Sequence, residues 1–346
     1  MNKGRQLIQR CGDNPILCPN KQNYWEDLCV LNPGVVYREE KNDYVMLYRA
    51  GGNEYNHIIR GGMALSKDGI HFTRQSDTPI FDVDLSREDA GGFEDPRITK
   101  IDGTYFITYA SRFKTIGKYF EPNEYSAKYS AEVRPDVYPD FARINHTVTY
   151  LAMTEDFKTF HRLGRITDSR FDDRDVFLFP EKVNGQYVRI SRPKFSDGRV
   201  KMPSIWITYS KDLLEWGEPE LLITGNEWWE TARIGGACPP IKTKEGWFML
   251  YHGVAETDSY YRVGAVMLDL NDPKKVIART KDFLMEAEKD YEVKGFYEGC
   301  IFPTSNILRG DTLYIYYGCA DRFVALAKAN FGELLQYLME ECRINE

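Results

Sequence analysis

Six stretches of this 346-residue chain carry side chains suited to chemistry at a shared pocket. The first, GGFEDPR at 91–97, sets two glycines before Glu94, Asp95, Pro96 and Arg97. A carboxylate held beside a rigid proline suits a positioned general acid, although Asp before Pro also fixes ordinary turns. DDRDVFLFPEK (172–182) contributes Arg174, the SRP stretch Arg192, WETARIGGACPP (229–240) Arg233, and YHG His252. Arginine forks match phosphate geometry, and mutually repelling cations in one place call for an anion. GCAD (318–321) ends on Asp321, a candidate acceptor for a sugar hydroxyl.

These residues need elements to bring them together, and an internal repeat supplies them. Five segments share a layout of proline, short apolar strand, turn and aromatic-rich strand: 32–50, 94–110, 179–193, 238–253 and 302–318. Each reads as a β-hairpin. Aligning the second strands equates Tyr48, Tyr109, Ser191, Tyr251 and Tyr317, so that Arg49, Ala110, Arg192, His252 and Gly318 follow at one blade position. The residues before the prolines are Asn32, Asp95, Phe179, Cys238 and Phe302, among which Asp95 is the sole acid. On this alignment the basic cluster comes from three repeats.

A second recurring element, ALSKDGIHF (64–72), AMTEDFKTF (152–160) and TYSKDLLEW (208–216), adds further strands to several hairpins. About four antiparallel strands per repeat and five repeats predict an all-β, five-bladed β-propeller occupying 1–346 as one domain. A long insertion at about 114–146, rich in Tyr, Pro and charge, is expected to act as a lid or an oligomer contact. The tail at about 330–343 predicts a short C-terminal helix packed on the barrel, with Leu334, Leu335, Leu338, Met339 and Cys342 on one face.

Composition narrows the function. Apolar residues make up 42% and charged residues 28%, as in globular proteins, while aromatics reach 14%, which suits β-rich packing and sugar-stacking surfaces. A net charge of −7 without a long basic block disfavours nucleic acid as a partner. No apolar run approaches the length needed to span a bilayer, so no membrane association is expected. Seven cysteines without C-x-x-C spacing argue against a disulfide framework and a zinc site, and for buried thiols in a reducing cytoplasm. His57, His71, His146 and His161 have no ligand-like spacing, and no metal is expected. P-loop, G-x-S-x-G and G-x-G-x-x-G motifs are absent.

Taken in order, FEDPRIT-x-IDGTY, DVFLFPEKVNG, RIGGACPPIKTKEGW-x-x-x-YHGV and FPT…GDTLYIYYGCAD resemble glycoside hydrolase family 130, the mannoside phosphorylases and related mannosidases. The resemblance extends over nearly the whole chain. It implies a five-bladed propeller that cleaves β-mannosides by inverting phosphorolysis to α-mannose 1-phosphate, with inorganic phosphate as co-substrate and no cofactor. By motif, Asp95 matches the catalytic acid, thought to act through the mannosyl 3-hydroxyl. Arg174, Arg192, Arg233 and His252 match the phosphate-binding set. Tyr261 of YYRVG and Asp321 match residues lining the mannosyl subsite, as does Arg60 of IIRGGMALS, and Arg49 joins them as a substrate-binding candidate. Ser191 stands where the family usually has His, and Arg233 where Lys is usual.

One placed acid with a basic cluster is the pattern of a phosphorolytic enzyme, because phosphate is itself the nucleophile. A β-mannosidase on the same fold would instead need a base such as Glu298 or Asp321. A non-catalytic glycan-binding propeller would need neither. Linkage, acceptor sugar and homo-oligomer formation stay open at this level.

Overall fold

Turn chemistry sets the local structure. Asp102-Gly103, Asn184-Gly185 and Gly310-Asp311 sit between aromatic and β-branched runs, and Asp102, Asn184 and all three glycines take positive φ. Such turns match the twist of paired strands and close two-residue hairpins. The longer Ser/Thr-x-Asp turns are equally regular. Ser66, Thr154 and Ser210 accept from the backbone N–H three residues on at 2.9, 3.0 and 2.9 Å. Asp68, Asp156 and Asp212 then each take two further N–H groups at 2.8–3.0 Å. These side chains stand in for backbone partners where the chain reverses.

The computed structural model describes residues 6–54, 58–113, 146–195 and 197–344. Its strands form five antiparallel sheets in a five-bladed β-propeller. Blade one runs Cys29–Arg38, Asp43–Gly51, Ile59–Ser66 and Thr73–Arg74, and blade two Glu94–Ile101, Thr104–Ser111, Val148–Thr154 and His161–Arg165. Blade three comprises Asp173–Leu178, Tyr187–Pro193, Ile205–Ser210 and Glu220–Ile223. Blade four has Arg233–Gly236, Trp247–Val254, Tyr261–Leu268 and Val276–Arg279, with two short flanking strands. Blade five takes Ile301–Arg309, Thr312–Cys319 and Phe323–Asn330 from the C-terminal end and Ile8–Arg10 from the N-terminal end. That last pairing closes the ring by joining the two ends of the chain in one blade.

Four blades share a buried lock that ties the second strand to the outer one. Tyr48 donates to Glu26 at 2.9 Å and Arg74 donates to the same carboxylate at 2.9 Å. Tyr109 and Arg162 meet on Asp89 at 2.6 and 3.1 Å, and Tyr251 and Arg279 on Glu230 at 2.7 and 2.6 Å. Tyr317 and Arg10 meet on Glu292 at 2.8 and 2.7 Å. All four carboxylates are buried, and each acid sits just ahead of an inner strand. In blades one and four the tyrosine ring lies over a glycine of the third strand. A Cβ at Gly62 would come within 2.2 Å of Tyr48.

The tail forms a helix over Phe331–Glu341, capped by Asn330, whose side chain accepts from Glu333 N at 3.0 Å. Phe331, Leu334, Leu338 and Cys342 are buried against blades four and five, while Leu335 and Met339 are half-buried at the edge. All seven cysteines are free thiols; five are buried, Cys11 is half-buried and Cys18 is exposed. The described residues contain no helix long and apolar enough to cross a membrane. All of the insertion at about 114–146 except His146 lies outside the described residues.

Candidate active site

The inner strands do not run straight. In blades one, two, three and five the register with the second strand slips, between Leu31 and Gly34, Glu94 and Arg97, Arg174 and Phe177, and Pro303 and Ser305. Asn32, Asp95 and Asp175 occupy these bulges at φ of 47°, 50° and 56°. A bulge re-aims a side chain and places non-glycine residues in a costly conformation, which packing must hold.

Register corrects the alignment made on the prolines. Leu31, Glu94, Arg174, Gly235 and Phe302 pair with Arg49, Ala110, Arg192, His252 and Gly318. The next residues are therefore Asn32, Asp95, Asp175, Gly236 and Pro303, so Phe179, Cys238 and Phe302 are not equivalent to Asp95. Asp95 is not the sole acid at this position, because Asp175 shares it. The third inner strand begins at Asp173, ahead of its Phe-Pro, which is why counting from the proline missed it. Arg174 and Arg192 belong to blade three and Arg233 and His252 to blade four. The cluster thus spans two adjacent blades and not three repeats.

Asp95 is 13% exposed at its side chain. Its Oδ1 accepts from Asn32 at 2.7 Å and from Arg49 at 3.1 Å, which leaves Oδ2 without a partner among the described residues. Arg49 also lies 3.4 Å from buried Glu94. A Cβ at Gly318 would fall 1.8 Å from Asn32 Oδ1, so glycine is needed there for Asn32 to reach Asp95. Arg97 is buried; it donates to the Asp95 carbonyl at 3.0 Å and lies 3.5 Å from Asp175 Oδ1.

Across the channel, Arg192 Nε donates to Asp175 Oδ2, and His252 Nε2 stands 3.5 Å from the same oxygen. Burial opposes ionisation of Asp175, but Arg192, His252 and Arg97 outweigh it and hold the carboxyl well below its usual range. Burial also pushes His252 down to about 3, against the pull of Asp175, so the imidazole is neutral near pH 7. Both its ring nitrogens are buried without a hydrogen-bond partner. Only the Nε of the Arg192 guanidinium is engaged, so its terminal nitrogens lack a protein partner. Gly235 is required beside this group, because a Cβ there would meet Asp175 Oδ2 at 2.1 Å.

Arg174 is gripped by Asp172 at 2.9 and 3.1 Å and lies within electrostatic reach of Glu94 and Asp95. Arg233 Nη2 donates to the Tyr261 and Tyr297 hydroxyls, both at 3.1 Å. Tyr261 also packs on His252, with ring centroids 5.2 Å apart, which puts it against the cationic side. Asp321, at φ 51°, lies 3.9 Å from the Cys300 thiol. Burial raises that thiol, and Asp321 raises it further, followed by Cys319 and Asp95. Arg60 is paired with Glu54 and with Asp82 at 2.7 Å, and packs over Tyr24.

The structure therefore gathers Asp95 with Arg49, and Arg174, Arg192, Arg233, His252 and Tyr261 around the same channel. Asn32, Arg97, Asp172, Asp175 and Tyr297 were not among the sequence candidates, although Arg97 stands in the FEDPR motif. No group of three or more His, Cys, Asp or Glu able to hold a metal occurs among the described residues.

The chain is similar to known proteins over most of its length. The family model Glyco_hydro_130, described as beta-1,4-mannooligosaccharide phosphorylase, matches residues 18–121 and 141–340. A 1,2-beta-oligomannan phosphorylase of Thermoanaerobacter sp. (strain X514) is 37% identical over 327 residues, 92% of this chain and 96% of that one. A beta-1,4-mannooligosaccharide phosphorylase of Ruminococcus albus is 30% identical over 347 residues, covering 96% of this chain and 91% of its own. Among solved structures, a beta-1,2-mannobiose phosphorylase from Listeria innocua in complex with beta-1,2-mannobiose superposes with a TM-score of 0.78 at 27% identity, over 99% of this chain and 100% of that one. The chain belongs to glycoside hydrolase family 130, whose named members here are mannoside phosphorylases.

Proposed function

We propose that the chain cleaves β-mannosides by inverting phosphorolysis, with Asp95 as the acid and the blade three and four cations as the phosphate site. In this reaction a phosphate oxygen attacks the anomeric carbon as the glycosidic C–O bond breaks. The leaving oxygen takes the proton of the mannosyl 3-hydroxyl, which Asp95 Oδ2 replaces, and α-mannose 1-phosphate results. Arg192, Arg233 and Arg174 stabilise the charge that develops on the phosphate side. Neutral His252 supplies a hydrogen bond without adding charge.

One observation carries this reading: the terminal nitrogens of Arg192 and both nitrogens of buried His252 lack protein partners beside two further arginines. Unpaired donors and cations of that kind fit an anion that arrives with the reaction. The second acid at the channel, Asp175, is bound to Arg192, so it organises cations and is poorly disposed to activate water. Three of the curated relatives, at 34–37% identity, are named for β-1,2-linked mannosides, which favours that linkage over β-1,4 as the substrate class.

Incubation with β-1,2- and β-1,4-mannobiose, with and without phosphate, tests the proposal. Phosphate-dependent release of mannose 1-phosphate, faster from the β-1,2 disaccharide, is expected. Mannose formed at one rate in both buffers would establish a hydrolase instead.

A further inference from the structure

Blade three is the one blade without the tyrosine–carboxylate–arginine lock. Ser191 replaces the tyrosine, and Trp206 faces it where Gly62 and Gly264 face Tyr48 and Tyr251. The outer strand, Glu220–Ile223, has no arginine. The missing carboxylate leaves a record: Arg189 Nε, Ser191 Oγ, Trp206 Nε1 and Thr208 Oγ1 are all buried without a hydrogen-bond partner. Arg189 pairs with Thr208 and Ser191 with Trp206, so the four groups share one face of the sheet. Native proteins leave few buried polar atoms unsatisfied, and four on one face point to an absent acceptor.

A cavity of about 380 Å³ opens beside that face. Arg165, Arg170, Arg189 and Arg199 line it, with Phe171 and Trp216 as apolar wall. Arg189 is only 5% exposed, stacks 4.5 Å from the Trp216 ring and donates to the Ile166 carbonyl. No carboxylate lies within ion-pair distance of it among the described residues. Burial draws its guanidinium down to about 10, against the pull of Asp173. The acids at the cavity are Asp168, Asp173 and Glu218. Asp168 is paired with Arg170 and Asp197 with Arg199, while Asp173, which accepts from Arg192 N at 3.0 Å, attracts Arg189 without reaching ion-pair distance.

We propose that this cavity binds a small organic anion, a carboxylate or phosphate monoester carried on a ring-sized body. The anion takes the place that Glu26, Asp89, Glu230 and Glu292 hold in the other blades. Trp216 and Phe171 flank its body. The volume falls within the range of small-molecule pockets.

Calorimetric titration of the Arg192→Ala protein, whose catalytic phosphate site is weakened, with saturating inorganic phosphate present to occupy what remains of that site, tests this apart from the phosphorylase reading. Glucose 6-phosphate and gluconate separate phosphate from carboxylate on a similar body, and glucose is the neutral control. At least one anion is expected to bind and glucose not to. Arg189→Gln should weaken binding by about tenfold or more, the worth of one charge-assisted hydrogen bond. Because Arg189 is buried and its variant may not fold, the exposed rim pair Arg170→Ala/Arg199→Ala serves as a second test and should weaken binding about threefold. Absence of anion binding, equal binding of glucose, or affinity unchanged in both variants would each overturn the proposal.

Discussion

Blade three and the four locked blades solve the same architectural problem differently. In the locked blades a tyrosine, a buried carboxylate and an outer-strand arginine satisfy one another, and their polar groups are spent on holding the ring. In blade three the corresponding donors have no acceptor, and the inner strand instead supplies Arg174 and Asp175 to the channel. The difference teaches that polar residues at equivalent repeat positions divide by what they meet. Those that close on a protein partner stabilise the fold, and those left open are available to ligands. In the first group a substitution should cost stability, and in the second activity or binding.

The largest effect is expected at the channel. Asp95→Asn keeps the size and the Asn32 and Arg49 contacts but cannot donate a proton, so turnover should fall by about 10²–10⁴-fold with little change in melting temperature. Retention of a tenth of wild-type turnover would sink the assignment.

A lock should show the opposite signature. Glu230→Ala leaves the Arg279 guanidinium and the Tyr251 hydroxyl buried without their acceptor, and should lower stability by about 3–5 kcal/mol in urea titrations. If that variant lost turnover while unfolding at the wild-type midpoint, the division between locks and open groups would fail.

Asp173 sharpens the contrast through pH. Burial raises its carboxyl to about 7, above the unfolded value, so its protonated form is favoured in the folded chain. The associated stability is complete below about pH 4 and is lost as pH rises towards and through 7. Asp173→Asn should remove a pH-dependent loss of up to about 4 kcal/mol over that window. Parallel stability–pH curves for the two proteins would show that the group titrates normally.

Arg192→Ala should raise the Michaelis constant for phosphate by about tenfold or more and change mannoside binding much less. Equal changes for both substrates would remove Arg192 from the phosphate side. The smallest effect is expected for Tyr48→Phe, which deletes one hydrogen bond to Glu26 while Arg74 remains, at about 1 kcal/mol of stability and no cost in turnover.

Much of this was legible in the sequence. Hairpins with DG, NG and GD turns, repeated five times, determined an all-β propeller, since turn residues and a period of two act locally. The FEDPR, RIGG and YHG motifs marked Asp95, Arg233 and His252 for the same reason. Which residues stand opposite one another was a different matter. A bulge adds a residue to one strand without altering any local propensity, so counting from prolines placed Phe179 where register places Asp175. The locks were hidden because their acids lie far along the chain from the arginines they bind, as Glu292 does from Arg10. The seam between Ile8–Arg10 and Phe323–Asn330, the engagement of Arg60 by Glu54 and Asp82, and the open donors of blade three likewise depend on which side chains tertiary packing brings within about 3 Å. Sequence determined the elements and the residue types at the channel; only the closed ring decided which of them found partners and which were left to bind something else.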